Sequence, residues 1–359
     1  MWPSQASRVQ AQINGSCVNS IMHAEIMSLG SCKSSRFELT ASISGDASDQ
    51  PWLSLLSERV TVEIYIGTEG TNSESSMFTG LTDSIAIDPI AKIALLTGRD
   101  YSSVLVNSTY QDSFCNQTAS EIANHVAMRH GFSPNISTTS AMIGSYQGGG
   151  YNQVLLNTHS KIVNEWDLLI HLAKSEGLEM FDDENDLVFS AAELLQTNKV
   201  CIGVDDVISM KFHKTCPVSN QNMVTVKSWN SWLDQTLNYS DNQLSGQDPA
   251  SVIGLSADPG TEMAIVRPNL TPEAAERLAR QHVNALNEQA LTVQITMPGE
   301  LLLKPRDILT VCGTRSVFDT NFVVRSVRRH FSTTAGFVQY IQGFAMGLDS
   351  PLVASNGSS

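Results

Sequence analysis

The first hundred residues alternate between apolar and polar side chains. Every second residue is apolar in two runs, residues 37–43 and 60–66. A period of two is typical of antiparallel strands that bury one face. Further strands are expected at residues 77–87 and 92–96, joined by a turn at residues 88–89. The spacing of these strands predicts a small barrel or sandwich at the start of the chain.

Between residues 101 and 195 the apolar spacing changes to that of two helices. Thr118 followed by Glu121 forms a capping box, and Gly131 is placed to end the first helix. Asn164 is expected to cap the second helix, which Gly177 ends. Apolar residues recur on one face of each helix: Ala119, Ile122, Ala123 and Val126 in the first, and Trp166, Leu169, Ile170 and Ala173 in the second.

Two other segments of this block have a distinctive composition. A hairpin is expected over residues 179–190, and it turns through the acidic stretch 182–186. Residues 144–151 are rich in glycine but lack the Lys-Ser or Lys-Thr pair of a phosphate-binding loop. This glycine-rich segment is therefore interpreted as a flexible loop between the helices.

The period of two returns after residue 200. Ile208, Met210 and Phe212 would share one face of a strand, and the apolar residues of 224–226 precede Trp229. This pattern is interpreted as the start of a second barrel. The strands expected to complete it lie at residues 291–297, 308–312, 322–330 and 336–342.

The second barrel is expected to be interrupted by an insertion at about residues 230–290. Its first part, residues 230–262, is polar and is interpreted as a long loop or a partner-facing insertion. A helix should follow, with Thr271 as its cap and Pro272 in its first turn. Its buried stripe is predicted to contain Ala275, Leu278, Ala279 and Leu286.

Residues 78–98 and 322–343 share an order of strand, turn, strand and glycine. Hairpins are common, so this similarity could arise by chance. If it reflects a true repeat, the chain holds two related barrels that flank a mixed α/β insert. We therefore predict an α+β protein that is mainly β.

Charge and composition limit the functions to consider. Only 16% of the 359 residues are charged, and the formal net charge is −14 without any basic run. Proteins that grip DNA carry a stripe of Lys and Arg, so this role is not expected. An acidic surface suits a wall past which DNA slides without sticking, but it also simply favours solubility, and both interpretations stay open.

The cysteines and the N-terminus indicate neither a metal site nor a targeting segment. Six cysteines, at residues 17, 32, 115, 201, 216 and 312, are scattered and fit neither a zinc site nor a compact disulfide framework. We expect them to be reduced, and mostly core fillers, in a protein made in the cytoplasm. Neither a signal peptide nor a membrane-spanning segment is predicted.

Acidic and histidine residues were considered as catalytic or metal-binding groups. Glu176, Glu179 and the acids at 182–186 are candidates for a glycoside-cleaving pair, but a helix end and a polar turn favour solvated acids. His125 and His130 are five residues apart, which does not suit two metal ligands on one helical face. His130 is instead expected at a helix C-terminus. No catalytic, cofactor-binding or metal-binding residues are therefore predicted.

Two tryptophans, Trp166 and Trp229, could stack on a ligand. Anchoring in a core or an interface is the more common role of such side chains, and it is the role predicted for both.

Several segments in this order resemble the phage late control gene D family of tail and baseplate hub proteins. They are residues 78–80 (FTG), 97–105 (TGRDYSSVL), 116–123 (NQTASEIA), 129–132 (RHGF), 164–169 (NEWDLL), 172–177 (LAKSEG), 187–189 (LVF), 226–230 (VKSWN), 298–300 (PGE) and 322–343. The resemblance thus touches most of residues 35–345.

The resemblance implies a homotrimer in which each chain contributes two tube-type β-barrels to a ring around a channel. Such a ring would join a six-fold tail tube to a three-fold central spike in the virion, after assembly in the host cytoplasm. Expected partners are the tail tube or distal tail-tube protein, the spike, baseplate wedge proteins, the tape-measure protein, and DNA as transiting cargo. No enzymatic activity and no cofactor are implied.

The corresponding domains are two barrels separated by an insert. They are residues 1–100 for the first tube-type barrel, 101–200 for the α/β insert, 201–345 for the second barrel with its polar and helical insertion, and 346–359 for a disordered tail. Two alternatives are a hub of a related contractile injection system or tailocin, similar to the base of VgrG-type spikes, and a tail-associated cell-wall hydrolase or carbohydrate-binding tail protein.

Overall fold

A computed structural model describes most of the chain. The described residues are 7–18, 20–43, 59–68, 74–109, 113–143, 145–146, 153–156, 164–192, 195, 198–214, 223–230, 235–242, 262–267, 270, 272–299, 303–316, 318–334 and 336–345. The glycine-rich segment 144–151, except residues 145–146, and the tail 346–359 lie outside these ranges, so the predictions made for them stay predictions.

The main element is a sheet of 13 strands built from both ends of the chain. Its N-terminal half contains seven strands in the order β3-β4-β7-β6-β5-β1-β2, and all neighbours are antiparallel. These strands are β1 (Ser7–Ile13), β2 (Ser16–Val18), β3 (Ile21–Leu29), β4 (Arg36–Ser42), β5 (Thr61–Thr68), β6 (Glu74–Asp88) and β7 (Ile93–Arg99). The predicted alternation is confirmed, because Phe37, Leu39 and Ala41 of β4 are buried.

An α/β insert with two small sheets follows β7. Its helices are α1 (Ser102–Asn107), α2 (Ala119–Arg129) and α3 (Glu165–Glu176). Its strands are β8 (Ser113–Cys115), β9 (Ser133–Ile136), β10 (Ser145–Tyr146), β11 (Gln153–Leu156), β12 (Glu179–Asp183) and β13 (Asp186–Ser190). The sheets have the orders β10-β11-β8 and β12-β13-β9, and one apolar core of the insert includes residues of all three helices.

The predicted helix signals of the insert are confirmed. The Thr118 hydroxyl accepts from the backbone of Glu121, while the Glu121 side chain accepts from the backbone of Thr118, so both halves of the capping box form. Asn164 caps α3 by accepting from the backbone N–H of Asp167 at 2.7 Å. Gly177 then ends α3 in the left-handed conformation with φ of 72°.

The C-terminal half of the large sheet contains six strands. They are β14 (Lys199–Gly203), β15 (Ser209–Lys214), β19 (Leu291–Pro298), β20 (Ile308–Cys312), β21 (Asn321–Ser332) and β22 (Gly336–Ala345), and a short 3₁₀ helix, Val204–Asp206, lies between β14 and β15. Their order is β15-β19-β22-β21, with β20 antiparallel to β21 and β14 parallel to β20. Strand β21 also pairs with β3, so the two halves form one continuous sheet.

A separate layer lies within the C-terminal region. The strands β16 (Met223–Asn230), β17 (Gln235–Asn242) and β18 (Glu262–Val266) form a three-stranded sheet covered by α4 (Pro272–Ala290). The predicted stripe of α4 is confirmed, since Ala275 and Ala279 are buried against Val224 and Val226.

One strand assignment in this layer was wrong, and a segment interpreted as a long loop or a partner-facing insertion contains a strand. Residues 224–229 belong to β16 of the small sheet, whereas they were expected to start the second barrel. The polar segment 230–262 is not only a loop, because residues 235–242 form β17 against β16. Polar side chains on the solvent side of a two-layer unit hide such a strand from a search for alternation.

The mainly β prediction with an α/β insert is confirmed, whereas two barrels are not. Within the described ranges, the strand pairing leaves the large sheet open at β2, β14 and β15. Each half nevertheless has its own apolar core, one around Leu39 and Ile64 and the other around Ile295 and Phe322. No helix in the described part of the chain has the length and apolar character needed to cross a membrane.

The expectation of reduced core-filling cysteines was wrong for four positions. Cys201 and Cys312 form a disulfide between β14 and β20, although 111 residues separate them in sequence. Cys17 and Cys115 are exposed, and Cys32 is half-buried. Strand pairing over a long sequence distance brings the disulfide cysteines together, so their spacing in the sequence does not predict the bond.

Candidate functional site

The acids considered for catalysis lie in structural contacts. Arg277 of α4 pairs with Glu176 across 3.6 Å, and Arg306 pairs with Glu179. Lys304 lies 3.7 Å from Asp183. Glu176 and Glu179 were expected to be solvated, but their side chains are only 8% and 25% exposed, and each faces an arginine from the C-terminal half of the chain. Asp183 is 56% exposed, as expected, and faces Lys304. These contacts connect the insert to that half.

The two histidines of α2 also have structural partners. His130 is the C-cap residue of α2, as predicted, and its Nε2 contacts the carboxylate of Glu165. That buried carboxylate also accepts from Arg129 at 2.5 Å, and His125 Nε2 lies 2.8 Å from Arg129. The cluster fastens the end of α2 to the start of α3. Among the residues that the structure describes, no group of three His, Cys, Asp or Glu side chains could hold a metal ion.

The two tryptophans lie in different surroundings. Trp166 of α3 is buried in the core of the insert, so the core role predicted for it is confirmed. Trp229 of β16 is 48% exposed. It is therefore available for contact with another molecule, and its interface role stays a prediction.

One buried and one partly buried carboxyl group, Asp100 and Asp182, lie where the insert meets the N-terminal half. Asp100 accepts from Ser34 Oγ at 2.7 Å, from the Ser35 backbone at 2.6 Å and from the Ser102 hydroxyl. Asp182 of β12 accepts from the backbone N–H of Tyr101 at 2.8 Å.

Burial changes the ionisation of this pair. Burial and the nearby charge of Asp100 raise the pKa of Asp182 to about 7, and burial also raises the pKa of Asp100. The contact between the insert and the N-terminal half therefore changes its charge near neutral pH.

The two halves of the large sheet meet where β3 and β21 pair. The register runs from Ser326 opposite Leu29 to Ser332 opposite His23. On the outer face, Arg328 donates to both carboxylate oxygens of Glu25 at 2.9 and 2.6 Å, which lowers the pKa of Glu25. The joint thus combines seven backbone-paired positions with a bidentate ion pair.

A buried arginine lies on the other face of this joint. Arg329 donates to Ser28 Oγ at 3.0 Å and to the Leu303 carbonyl oxygen. Burial lowers the pKa of Arg329 to about 10, so the guanidinium stays protonated at neutral pH. Phe331, two residues further along β21, packs into the core of the N-terminal half. The C-terminal half therefore contributes a side chain to the other half's core.

The two halves repeat the same strand order. The N-terminal half reads β3-β4-β7-β6-β5, and the C-terminal half reads β15-β19-β22-β21-β20. Burial follows the same pattern in the second strand of each series: Phe37, Leu39 and Ala41 in β4, and Val293, Ile295 and Met297 in β19. The next strand departs from the repeat, because β1 is antiparallel to β5 whereas β14 is parallel to β20.

A bulge at the same place fixes the alignment of the two halves. In the β6–β7 hairpin Asp83 is the extra residue beside Gly98, and in the β21–β22 hairpin Arg325 is the extra residue beside Gly343. The backbone bond from Thr82 N to Val60 O, 3.0 Å, corresponds to the bond from Val324 N to Asp307 O, 2.8 Å. Residue 84 therefore corresponds to residue 326, and the hairpin similarity seen in the sequence is a true structural repeat.

The sequence did not indicate the joint between β3 and β21. A usable signal is the pair of consecutive arginines, Arg328 and Arg329, which places charge on both faces of one strand. One face of a paired strand is buried, so one of the two arginines is expected in the interior. A buried charge is kept only where it is hydrogen-bonded, so that arginine needs a partner. That signal predicts a special position but not the identity of its partner.

No protein-family model and no curated protein sequence matches this chain. The fold is similar to that of solved tail proteins. The 43 kDa tail protein of prophage MuSo2 from Shewanella oneidensis superposes with a TM-score of 0.66 at 16% identity, over 95% of this chain and 98% of that protein. A tail protein from Neisseria meningitidis MC58 gives a TM-score of 0.65 at 15% identity, over 94% and 96% of the two chains.

A secretion-system protein has a similar fold. The E. coli c3393 protein, described as a type VI secretion component with structural similarity to the T4 tail proteins gp27 and gp5, has a TM-score of 0.55 at 10% identity. The match covers 95% of this chain and 76% of that protein. The resemblance to tail hub proteins read from the sequence is thus confirmed at the level of the fold.

Proposed function

We propose that this chain is a structural hub of a phage tail baseplate. Three copies form a ring that joins the six-fold tail tube to the three-fold central spike and encloses the channel for DNA. The protein has no enzymatic role in this proposal. Its partners are the tail-tube or distal tail-tube protein, the spike, baseplate wedge proteins and the tape-measure protein, and it is located in the virion after assembly in the host cytoplasm.

The repeat within the large sheet is the observation that carries this proposal. Each chain contains two units with the same strand order, fastened edge to edge by β3 and β21. Three such chains would present six similar units on one face and three identical chains on the other. A two-unit chain can therefore match a six-fold partner and a three-fold partner, which a chain with one unit cannot do.

The charge balance agrees with a channel that DNA crosses. The chain carries 36 acidic and 22 basic residues. A net negative charge weakens nonspecific attraction to phosphates, so passing DNA is not retained.

The mass of the purified full chain in solution tests the proposal. Light scattering should give three times the 39.0 kDa chain mass, and the complex should bind purified tail-tube protein. Incubation with purified cell wall is the matched assay for the hydrolase alternative. A monomer that releases soluble cell-wall fragments would overturn the hub proposal.

A hub of a contractile injection system or tailocin is the second candidate. The similarity to the type VI secretion component favours it. The two candidates differ in partner, so binding to a phage tail-tube protein or to a secretion-tube protein separates them.

A further inference from the structure

We propose that strand β15 of one copy pairs, antiparallel, with the free edge of β6 in a second copy. The β6 edge consists of residues 84–88. The resulting contact would repeat between chains the joint that β3 and β21 form within one chain. This inference deepens the proposed ring and rests on it for the number of copies.

In the part of the chain that the structure describes, both strands have an edge that no other strand covers. Strand β6 pairs with β5 through residues 74–81 and with β7 through residues 81–88. Within the described ranges, no strand pairs with residues 84–88 on the side away from β7. Strand β15 likewise pairs with β19 alone among the described strands. Such edges expose backbone N–H and C=O groups that template the addition of another strand.

The intrachain joint supplies the geometry. On β21, residues 326–332 lie just after the bulge and pair with β3 on the side away from β22. The corresponding residues after the bulge of β6 begin at Ser84. Strand β15 corresponds to β3, because each pairs with the second strand of its half. The free edges of β15 and β6 are therefore equivalent to the edges of β3 and β21 that pair within the chain.

The alignment of the two halves also fixes a register. His330 faces Glu25 in the joint, and the corresponding residues are Asp88 and Lys211. Counting back along β6 from Asp88, Ile87 would face Phe212 and Ala86 would face His213. Opposite charges would lie directly across from each other on the outer face, while apolar side chains meet on the inner face, and both kinds of cross-strand pair are favourable.

Exposed apolar side chains lie at the same place. Ile90, at the tip of the β6–β7 hairpin, is 94% exposed, and Ile208, just before β15, is 64% exposed. In the proposed register Asp88, the last residue of β6, lies opposite Lys211, so the turn that carries Ile90 comes close to Ile208. Near the tip of the β21–β22 hairpin an apolar side chain makes a comparable contact, since Phe331 packs on the other half's core. Pairing would thus cover two aliphatic side chains that the single chain leaves in water.

The proposed contact is heterologous, because each copy offers one β15 edge and one β6 edge. Head-to-tail contacts of this kind close into rings when the rotation between copies allows it. A ring of three copies would contain six joints, three within chains and three between them. All six would have the same strand geometry.

A cysteine pair tests the register in the full chain. Ala86→Cys combined with His213→Cys places two exposed residues directly opposite each other, with Cβ atoms about 5 Å apart. Mild oxidation should give disulfide-linked dimers and trimers under non-reducing denaturing conditions. The control pair, Asp88→Cys with His213→Cys, is out of register at about 7–8 Å and should cross-link several-fold more slowly. The parent chain controls for the natural cysteines.

The outcomes separate this inference from the proposed ring. A parent chain that forms trimers while the Ala86–His213 cysteine pair fails to cross-link overturns this interface and leaves the ring intact. Equal cross-linking of the two pairs overturns the register. A parent chain that stays monomeric at every concentration, with no cross-linking, overturns both the interface and the ring.

A charge reversal tests the Asp88–Lys211 pair without a new covalent bond. Lys211→Glu places two acids opposite each other and should raise the concentration for half-assembly by about two- to five-fold per interface. Adding Asp88→Asn removes the repulsion and keeps an acceptor for the turn, in which Asp88 accepts from Ile90 N and Ala91 N. Lys227→Glu, at an exposed position of β16, is the control. Equal effects of Lys211→Glu and Lys227→Glu would contradict the pairing.

Discussion

Strands β3 and β15 hold the same position in the two halves, yet among the described strands β3 has a neighbour on both edges and β15 on one. Ala24 and Ile26 of β3 are buried, whereas the corresponding Met210 and Phe212 of β15 are only half-buried. The sequence pattern of the two strands is similar, so the difference comes from β21, which covers one edge of β3. The burial of these side chains therefore indicates whether the strand that carries them is paired on its outer edge.

The largest expected effect comes from truncating the side chain that crosses the intrachain joint. Phe331→Ala should lower the free energy of unfolding by about 3–5 kcal/mol, because the aromatic ring fills the core of the other half. Ile90→Ala, at the tip of the other hairpin, should leave the unfolding of the single chain unchanged. Urea denaturation at low protein concentration measures both, and equal losses would contradict the comparison.

Substitution of the glycines beside the two bulges should also cost more stability in the N-terminal half than in the C-terminal half. A Cβ on Gly98 would meet the Leu81 carbonyl oxygen at 2.1 Å, whereas a Cβ on Gly343 would meet the Val323 carbonyl oxygen at 3.0 Å. Gly98→Ala should therefore cost about 3 kcal/mol of unfolding free energy and Gly343→Ala about 1 kcal/mol. Thermal or urea unfolding of the two variants checks the ranking, and the reverse order would show that the halves are less similar than the bulges indicate.

The contact between the insert and the N-terminal half is expected to respond to pH. Residues 31–35 follow β3 and contact the hairpin of the insert, where Cys32 N donates to the Met180 carbonyl at 2.6 Å. The pKa of Asp182 is raised to about 7 in the fold, so stability from its neutral form is complete below about pH 4 and is lost as the pH rises through 7.

We expect a loss of about 4 kcal/mol between pH 4 and pH 8 from this carboxyl group. Asp182→Asn removes the titrating group, so the difference in unfolding free energy between the two proteins isolates it. The same pH slope in both proteins would show that Asp182 titrates normally.

The smallest effect concerns the exposed ion pair of the intrachain joint. Arg328→Ala should cost less than about 1 kcal/mol, because Arg328 is half exposed and solvent screens its charge. The loss should shrink further in high salt. Unfolding at two salt concentrations measures it, and a salt-independent loss would assign the role of Arg328 to packing on Tyr340.

Local signals in the sequence predicted local structure well. The capping box at Thr118 and the glycine after α3 lie within a few residues of their hydrogen-bond partners, so pattern and cause coincide. The alternation in β4 also predicted its buried face, because a period of two fixes which side chains point inward.

Contacts between distant segments were not predictable in the same way. The partner of β3 lies some 300 residues away on β21, and alternation identifies a strand without its neighbour. The same limit explains why β16 was assigned to the wrong sheet and why the Cys201–Cys312 disulfide was missed. The hairpin repeat was visible in the sequence, but only its bulges and backbone bonds make it informative about assembly.

Backbone hydrogen exchange across a range of protein concentrations tests the central claim most directly. Amides of β3 should be protected at every concentration, because their partner is in the same chain. Amides of β15 and of residues 84–88 should exchange rapidly in the monomer and become protected together as the chain assembles. An assembled trimer in which these two edges still exchange rapidly would contradict the account.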